Sequence, residues 1–339
     1  MSTPTDAMTT DAATAEPVMM SYREAVNAAI DDALAEDPSV VFLGEDIANE
    51  GGVFKTNAGL PEKHPGRVIN TPICENGFTG VALGMAVVGM RPIVEFMFAD
   101  FMPTAGDAIV NQLPKYRFMS GGELSVPVTL RVISGAGGRF GTQHSATGES
   151  WFMSQPGLRV AAAGTPAAAY GLIRAAVQSN DPVIVHEHKM LYLHQGPVRR
   201  GVAAEMGKAS VEREGSDVTI VATMHMVQRA LQAAAALADE GIDAEVIDLR
   251  WIRPLDHATV TASVEKTGRL VVAEEQWHDA GWGATLISRL ATAGASMSTA
   301  PRVVGLPDDI LIPYAPPLED AVIPTAERIA DEVRASLLS

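Results

Sequence analysis

The sequence has few of the residues that stabilise secreted proteins or bind nucleic acid. It contains a single cysteine, Cys74, among 339 residues, so no internal disulfide can form. A reducing compartment is therefore favoured, and we expect the cytoplasm. Lysine and arginine number 25 against 41 aspartates and glutamates, which gives a net charge of −16. Since nucleic-acid binding depends on neutralising phosphates with basic side chains, we expect no nucleic-acid partner.

Long hydrophobic runs are also absent from the sequence. The longest, residues 81–90, ends at Arg91 and is much shorter than the roughly 20 residues that cross a bilayer. We expect a buried helix there and no membrane partner. Residues 1–17 have no lysine or arginine, which signal and mitochondrial leader peptides require. This stretch is predicted to be a disordered acidic tail.

Aromatic residues make up 5% of the sequence, whereas 47% of it is hydrophobic and mostly Ala, Val, Ile and Leu. That composition is typical of helices packed on parallel sheets. The length exceeds the roughly 100 to 200 residues of one domain, so two domains are expected. The sequence therefore favours the α/β class.

The order of helix and strand patterns predicts two doubly wound domains. Ser21 and Glu24 form a capping-box pattern at the start of the first helix. Strands are predicted at 40–43, 67–70, 92–96, 127–132, 158–162 and 182–186, with helices near 104–119 and 166–178. The periodicity fades at 198–212, which we interpret as a linker between a first domain over 18–197 and a second over 213–339.

Several acidic residues lie near predicted strand ends, where chemistry gathers in open α/β sheets. They are Glu45, Asp46, Glu75 and Glu95. For any one of them alone, a helix cap or a surface carboxylate is the ordinary interpretation. No Walker motif or dinucleotide fingerprint accompanies them.

Histidines offer two further candidates. His144 follows the glycine-rich stretch GAGGRFGTQ, and a mobile loop could place its imidazole over a substrate, although a structural loop histidine is the commoner case. His186 and His188 alternate on a predicted strand and could bind a metal from one face. Because no third ligand is evident, a structural role is favoured for that pair.

The run TPICENGFTGVALGMAVVGMRPIVEFMFADF resembles the β subunit of the thiamine diphosphate-dependent 2-oxo acid dehydrogenases. These are the decarboxylating first components of pyruvate, branched-chain 2-oxo acid and acetoin dehydrogenase complexes. The resemblance continues through VFLGED, GTQHSATGESWF, DPVIVHEHKMLY, AEVIDLRWIRPLD and LEDAVIP, and so covers nearly the whole chain. It implies an N-terminal pyrimidine-binding domain and a C-terminal domain like that of transketolase.

In that family each active site lies between an α and a β subunit of an α2β2 heterotetramer. The α subunit holds the diphosphate and Mg²⁺ through a Gly-Asp-Gly motif, and the β subunit holds the aminopyrimidine. This sequence contains no Gly-Asp-Gly, so the resemblance implies that the chain is inactive without an α subunit. It also implies a lipoyl acyltransferase core as a partner, with acyl transfer to lipoamide after decarboxylation of a 2-oxo acid.

The resemblance assigns roles to particular residues. Glu75 matches the glutamate that hydrogen-bonds a pyrimidine ring nitrogen, where an acid is needed because the proton is shared with that nitrogen. His144 matches a histidine that faces the reacting carbon and assists substrate binding or acyl transfer. Ile73, Met97 and Phe101 match residues lining the pyrimidine pocket, and Glu45 matches an acid near the cofactor.

Relatives also hold a monovalent cation, with K⁺ as the candidate ion. The matching positions here are Val128, Ala176, Val177, Ser179 and Asp181. Most of these would bind through backbone carbonyl oxygens, which residue identity does not reveal. The resemblance alone therefore implies this site.

The substrate and two other functions stay open at this point. HEHKMLYLHQGPV and IVNQLPKYRFMSGG lean toward the acetoin type, for which acetoin would replace the 2-oxo acid. A self-sufficient transketolase-like enzyme would need its own diphosphate-binding domain and a longer chain. A non-catalytic scaffold subunit of the same fold would not need Glu75 and His144, which this sequence retains.

Overall fold

The structure is a computed structural model that describes residues 16–338. The acidic tail was predicted over residues 1–17, and residues 1–15 of it lie outside the described residues. The strands are β1 (Val18–Ser21), β2 (Val40–Gly44), β3 (Val68–Asn70), β4 (Arg91–Phe96), β5 (Thr129–Ser134), β6 (Arg159–Ala162), β7 (Val183–His188), β8 (Gln195–Val198), β9 (Ser210–Arg213), β10 (Val218–Ala222), β11 (Ala244–Asp248), β12 (Trp251–Arg253), β13 (Leu270–Trp277) and β14 (Arg302–Leu306).

The helices alternate with these strands along the chain. They are α1 (Tyr22–Glu36), α2 (Leu60–Lys63), α3 (Glu75–Val87), α4 (Tyr116–Met119), α5 (Pro166–Gln178), α6 (His225–Ala238), α7 (His257–Thr267), α8 (Trp282–Ala293), α9 (Pro316–Val322) and α10 (Ala326–Leu337). Short 3₁₀ helices cover Ala99–Ala105, Thr142–His144, Lys189–Leu191 and His278–Ala280, and a π-helix covers Ala108–Gln112. The α/β class is confirmed.

The first sheet has the strand order β12-β6-β7-β5-β4-β2-β3. All neighbouring pairs are parallel except β12 with β6. Helices α1 and α5 pack in the core on one face of this sheet, and α3 packs in the core on the other face. Strands buried on both faces explain why these segments read as continuous apolar runs in the sequence.

The second sheet has the order β14-β13-β10-β11-β9, in which only β9 runs antiparallel to its neighbour. Helices α6 and α10 share a core cluster on one face, whereas α7 and α8 join the cluster that also contains α3. The cluster that contains α3, α7 and α8 also includes residues of the first sheet, so the two domains share hydrophobic packing. A separate antiparallel ribbon of β1 and β8 brings the two ends of the first domain together.

Local sequence signals explain two helix starts. The Ser21 hydroxyl accepts a hydrogen bond from the Glu24 amide, and the Glu24 carboxylate accepts one from the Ser21 amide, which completes the predicted capping box of α1. Helix α5 begins at Pro166, with the Thr165 side chain accepting from the Ala168 amide. Proline is favoured at this position because its missing amide hydrogen has no partner in a helix's first turn.

The predicted helix over 104–119 is wrong as a single element. The chain there forms a 3₁₀ helix, a π-helix and the short α4 in succession. Pro103 lies inside the 3₁₀ helix and Pro114 lies between the π-helix and α4. Proline lacks the amide hydrogen that a continuous α-helix needs, so the pattern of apolar residues did not suffice to predict one helix.

The sequence prediction lacked four strands: β1, β8, β9 and β12. β9 takes up the end of the stretch interpreted as a linker, 198–212, and adds to the second sheet beside β11. β12, which follows β11 in the chain, returns to the first sheet and pairs with β6. The Trp251 side chain on β12 is fully buried in the core of the first domain. Within residues 16–338, no helix is long and apolar enough to cross a membrane.

Candidate active site

Four neighbouring parallel strands converge on the candidate site. In the sheet they lie in the order β5, β4, β2, β3, and the chain after each carries predicted residues. Glu45 follows β2, Ile73 and Glu75 follow β3, Met97 and Phe101 follow β4, and His144 follows β5. Since carboxyl ends of parallel strands meet at one edge of a sheet, the fold brings all six residues to that edge.

Glu75 is the first residue of α3, as its setting between a strand and a helix predicted. Its side chain is buried, and the Thr104 hydroxyl lies 3.2 Å from Glu75 Oε2. Thr104 comes from the 3₁₀ helix after β4, and its hydroxyl is also 2.7 Å from the Phe101 carbonyl oxygen. The carboxylate benefits from the positive end of the helix dipole. Sequence reasoning missed Thr104 because this contact joins two separate elements.

Glu45 lies close enough to Glu75 to interact electrostatically. Burial, together with the nearby charges of Glu75, Asp46 and Glu95, raises the pKa of Glu45 to about 7. Glu45 Oε1 is buried and has no hydrogen-bond partner within the described residues. A buried, unpaired acceptor calls for a donor from outside the chain. An aminopyrimidine, with an amine that donates and ring nitrogens that share protons, fits the acids Glu45 and Glu75.

His144 ends a 3₁₀ turn and is held between aromatic rings. Its imidazole centroid lies 4.5 Å from that of Phe98 and 5.4 Å from that of Phe101, both edge to face. The backbone carbonyl oxygen of Phe101 accepts a hydrogen bond from the Thr104 hydroxyl, and that hydroxyl also contacts Glu75. Contacts through Thr104 and Phe101 therefore connect the two predicted catalytic residues.

The two remaining residues predicted to line the pyrimidine pocket, Met97 and Ile73, differ in burial. Met97 is half-buried and packs against the core beneath α1 and α5. Ile73 is 83% exposed, so within this chain it closes no pocket. A surface that covers Ile73 has to come from another molecule if the residue is to contact a pyrimidine.

The five predicted cation-site residues lie at the last turn of α5, in the loop between α5 and β7, and directly before β5. The carbonyl oxygen of Val128 accepts a hydrogen bond from Val183, and that of Ala176 accepts one from Ser179. The Arg91 guanidinium lies 2.8 Å from the Val177 carbonyl oxygen and 2.6 Å from that of Ser179. The Asp181 carboxylate pairs with Arg117 and Arg159.

These oxygens therefore already have partners, and a positive charge from Arg91 lies against two of them. The arrangement does not fit an added monovalent cation well, because the guanidinium would repel it. We derive no function from such an ion. The K⁺ site implied by the resemblance stays a prediction.

The strand histidines do not share a metal site. His186 Nδ1 lies 3.0 Å from the Ser134 hydroxyl, whereas His188 points to His225 and Glu275 of the second domain. His188 Nε2 is 3.2 Å from Glu275 Oε2, and the Met190 amide donates to His188 Nδ1. Because Nδ1 accepts from the Met190 amide, Nε2 is the nitrogen that donates to Glu275 in this structure. This cluster is a hydrogen-bonded contact between domains.

A buried charge network supports the strands behind the site. Arg131 on β5 donates to both carboxylate oxygens of Glu187 on β7, at 2.5 and 2.8 Å, and to Glu95 on β4. The Asn57 amide donates to Glu95 and the Tyr192 hydroxyl to Glu187. With partners on all sides, these charges tie three central strands together.

Comparison with known families defines the class of protein. Residues 18–195 match the transketolase pyrimidine-binding domain family, and residues 207–329 match the transketolase C-terminal domain family. A solved structure described as an inactive β4 tetramer of a split-gene transketolase superposes with a TM-score of 0.76 at 26% identity. The superposition covers 94% of this chain and 98% of that one. The chain thus has the two-domain fold predicted by its resemblance.

Relatives narrow the class to a family. The rice mitochondrial pyruvate dehydrogenase E1 component subunit beta-2 is 43% identical, over 94% of this chain and 85% of its own. The β subunit of acetoin:2,6-dichlorophenolindophenol oxidoreductase from Cupriavidus necator is 42% identical, over 94% and 97%. The chain belongs to the family of β subunits of thiamine diphosphate-dependent 2-oxo acid and acetoin dehydrogenases. The roles of individual site residues stay predictions.

Proposed function

We propose that this chain is the β subunit of an α2β2 enzyme that decarboxylates a 2-oxo acid and transfers the acyl group to lipoamide. It works with an α subunit that holds the diphosphate and Mg²⁺, and a lipoyl acyltransferase core accepts the product. The single cysteine is exposed and forms no disulfide, which favours the reducing cytoplasm as the location of the protein.

The pair of acids at the ends of β2 and β3 carries the proposal. Glu75 is buried at the start of α3, and the unpaired Oε1 of Glu45 lies nearby. When bound, thiamine diphosphate supplies the carbanion-stabilising centre for decarboxylation. Glu75 shares a proton with a pyrimidine ring nitrogen, and Glu45 accepts a hydrogen bond that the chain alone leaves unmade. The Thr104 hydroxyl, 3.2 Å from Glu75 Oε2, lies beside the carboxylate.

The outer surface of α3 supports the need for a partner subunit. Val81 on this helix is 53% exposed, Val88 directly after it is 77% exposed, and Ile73 just before it is also exposed. Beyond α3 itself, a Cβ atom added at Gly80 or Gly84 would meet nothing within 4 Å among residues 16–338, so that face is open. An exposed apolar face of this kind is typical of protein interfaces. An α subunit packed there would cover Ile73 and complete the pyrimidine pocket.

The second candidate substrate is acetoin. The acetoin-oxidoreductase β subunit aligns over 97% of its own length, whereas the rice pyruvate dehydrogenase subunit aligns over 85%. The identities, 42% and 43%, are nearly the same. Cleavage of acetoin places the same demand on Glu75 and Glu45, so the two reactions differ at the substrate pocket and not in these acids.

The proposal is tested by co-expressing the chain with a cognate α subunit. The chain alone and the assembled enzyme are assayed with pyruvate, a branched-chain 2-oxo acid and acetoin, using 2,6-dichlorophenolindophenol as electron acceptor. We expect turnover only in the assembled enzyme and with one substrate class preferred. Turnover by the chain alone contradicts the need for an α subunit. An assembly that gains neither cofactor affinity nor turnover indicates a scaffold subunit.

A further inference from the structure

The loop that carries His144 leaves the first sheet in close contact with the end of β7. It begins at Gly135, directly after β5, where φ is +94°. A Cβ atom at Gly135 would lie 1.9 Å from His188 Nε2, so only glycine fits there. The loop then runs without regular structure to the 3₁₀ turn at Thr142–His144. Its conformation therefore depends on contacts with other elements.

Lys189 contacts both ends of this loop. Its ammonium group donates to the carbonyl oxygen of Gly135 and, at 2.8 Å, to the carbonyl oxygen of His144. The same nitrogen lies 5.5 Å from the ring centroid of Phe98, whose edge packs against the His144 imidazole. It is also 5.5 Å from the centroid of Phe140, within the loop itself. One cation thus fixes the start of the loop, its end and the ring that supports the imidazole.

Three carboxylates also bind the loop. Glu275 Oε1 accepts from the Ala136 amide at 2.6 Å, and Glu319 Oε1 accepts from the Gly137 amide at 2.8 Å. Asp100 Oδ2 accepts from the Ala146 amide at 3.2 Å. Lys189 is buried, and these three acids supply its nearby negative charge. Two of the acids belong to the second domain, so both domains and the lysine hold the loop.

We propose that Lys189 is a positioning residue for His144: its ammonium group joins Gly135 to His144 and thereby holds the imidazole over the reacting centre. This inference rests on the proposed function, because it assumes that His144 acts on substrate or acyl group. Lys189 itself does not contact the pyrimidine acids in the described contacts. Its removal should affect the reaction through the loop and leave cofactor binding unchanged.

The test is a double-mutant cycle in the assembled αβ enzyme, with Lys189→Met, His144→Ala and both together. Methionine matches the four-atom stem of lysine, ends before the position of the nitrogen, and removes the donor. We expect Lys189→Met to lower kcat about 100-fold, the size that a displacement of roughly 1 Å causes, with the KM for thiamine diphosphate unchanged. The double variant should be no slower than His144→Ala. Lys208→Met, at an exposed lysine, is the matched control.

Hydrogen exchange over residues 135–146 provides the second measurement. In Lys189→Met these amides should exchange faster, whereas His144→Ala should leave the start of the loop protected. If Lys189→Met does not fold, Lys189→Gln takes its place; its amide ends one atom short of the lysine nitrogen, so we expect the same directions of change with a smaller loss of kcat. Losses that multiply in the double variant, or unchanged exchange in the loop, overturn the inference. A normal rate in His144→Ala contradicts the role of His144 in the proposed function. Hydrogen exchange over residues 135–146 then still tests whether Lys189 holds the loop.

Discussion

Glu45 and Glu75 follow adjacent parallel strands, yet the two acids have different environments. Glu75 lies at the start of a helix with a hydroxyl partner, and Glu45 has a buried oxygen with no partner within residues 16–338. The pKa of Glu45 is raised to about 7, so near neutral pH a fraction of it is protonated. The site therefore avoids holding two full negative charges side by side.

The raised pKa makes Glu45 a source of pH-dependent stability. Its pKa in the folded chain, about 7, lies above the ordinary value of 4.5, so from pH 4.5 to 7 the folded state keeps a proton that the unfolded state has lost. Stability therefore falls as the pH rises through this range and levels off above it. Urea midpoints measured from pH 5 to 7.5 report this decrease in stability. We expect Glu45→Gln to remove the part of the decrease that comes from Glu45. Parallel pH profiles for the wild type and Glu45→Gln contradict the assignment, and Glu62→Gln, at an exposed residue, is the control.

Among the site residues, sequence reasoning found those within recognisable motifs and missed those that act across the fold. Glu75 and His144 were predicted only because a chain-long resemblance singled them out. Thr104 and Lys189 reach the site from other elements, and nothing in their local sequence marks those contacts. Glu319 lies in the LEDAVIP run, so the motif was visible although its contact with the His144 loop was not.

At the scale of elements, local signals set the limits of several helices. The capping box placed the start of α1, and Thr165 with Pro166 placed the start of α5. The break in the helix predicted at 104–119 had a local signal that the prediction did not use, since Pro114 lies inside that range. Strand β12 could not be predicted, because its pairing with β6 joins residues that are distant in the chain.

The capping box of α1 gives a prediction about stability. Ser21→Ala removes the side-chain acceptor for the Glu24 amide and should lower the free energy of unfolding by about 1 kcal/mol. Chemical denaturation of the purified chain measures this loss. Ser296→Ala, at an exposed serine outside any helix, should change stability by much less. Equal effects from the two substitutions show that the cap contributes nothing.

The buried network of Arg131, Glu95 and Glu187 was also absent from the sequence prediction, because its partners lie on three strands. Arg131→Met leaves two buried carboxylates without their cation and should destabilise the fold by about 3 to 5 kcal/mol. Adding Glu95→Gln and Glu187→Gln removes the unpaired charges, so the triple variant should regain part of the loss. Denaturant midpoints measure both effects. A triple variant less stable than Arg131→Met contradicts the electrostatic explanation.

At the scale of the whole molecule, the second domain does more than extend the chain. Its strand β12 completes the first sheet, and its residues Glu275 and Glu319 bind the loop that carries His144. The site edge nevertheless stays open at Ile73 and along α3. Under the proposed function, the chain supplies one half of an active site, and this apolar surface is where the α subunit docks.

The central claim is that Glu75 activates the cofactor once an α subunit completes the site. Turnover of Glu75→Gln, assembled with the α subunit and saturated with thiamine diphosphate, tests it most directly, with Glu123→Gln at an exposed residue as control. Glutamine can hydrogen-bond but cannot share a proton, so we expect a loss on the order of a thousandfold, about 4 kcal/mol, with an unchanged melting temperature. A rate within a few-fold of the wild type would contradict the account.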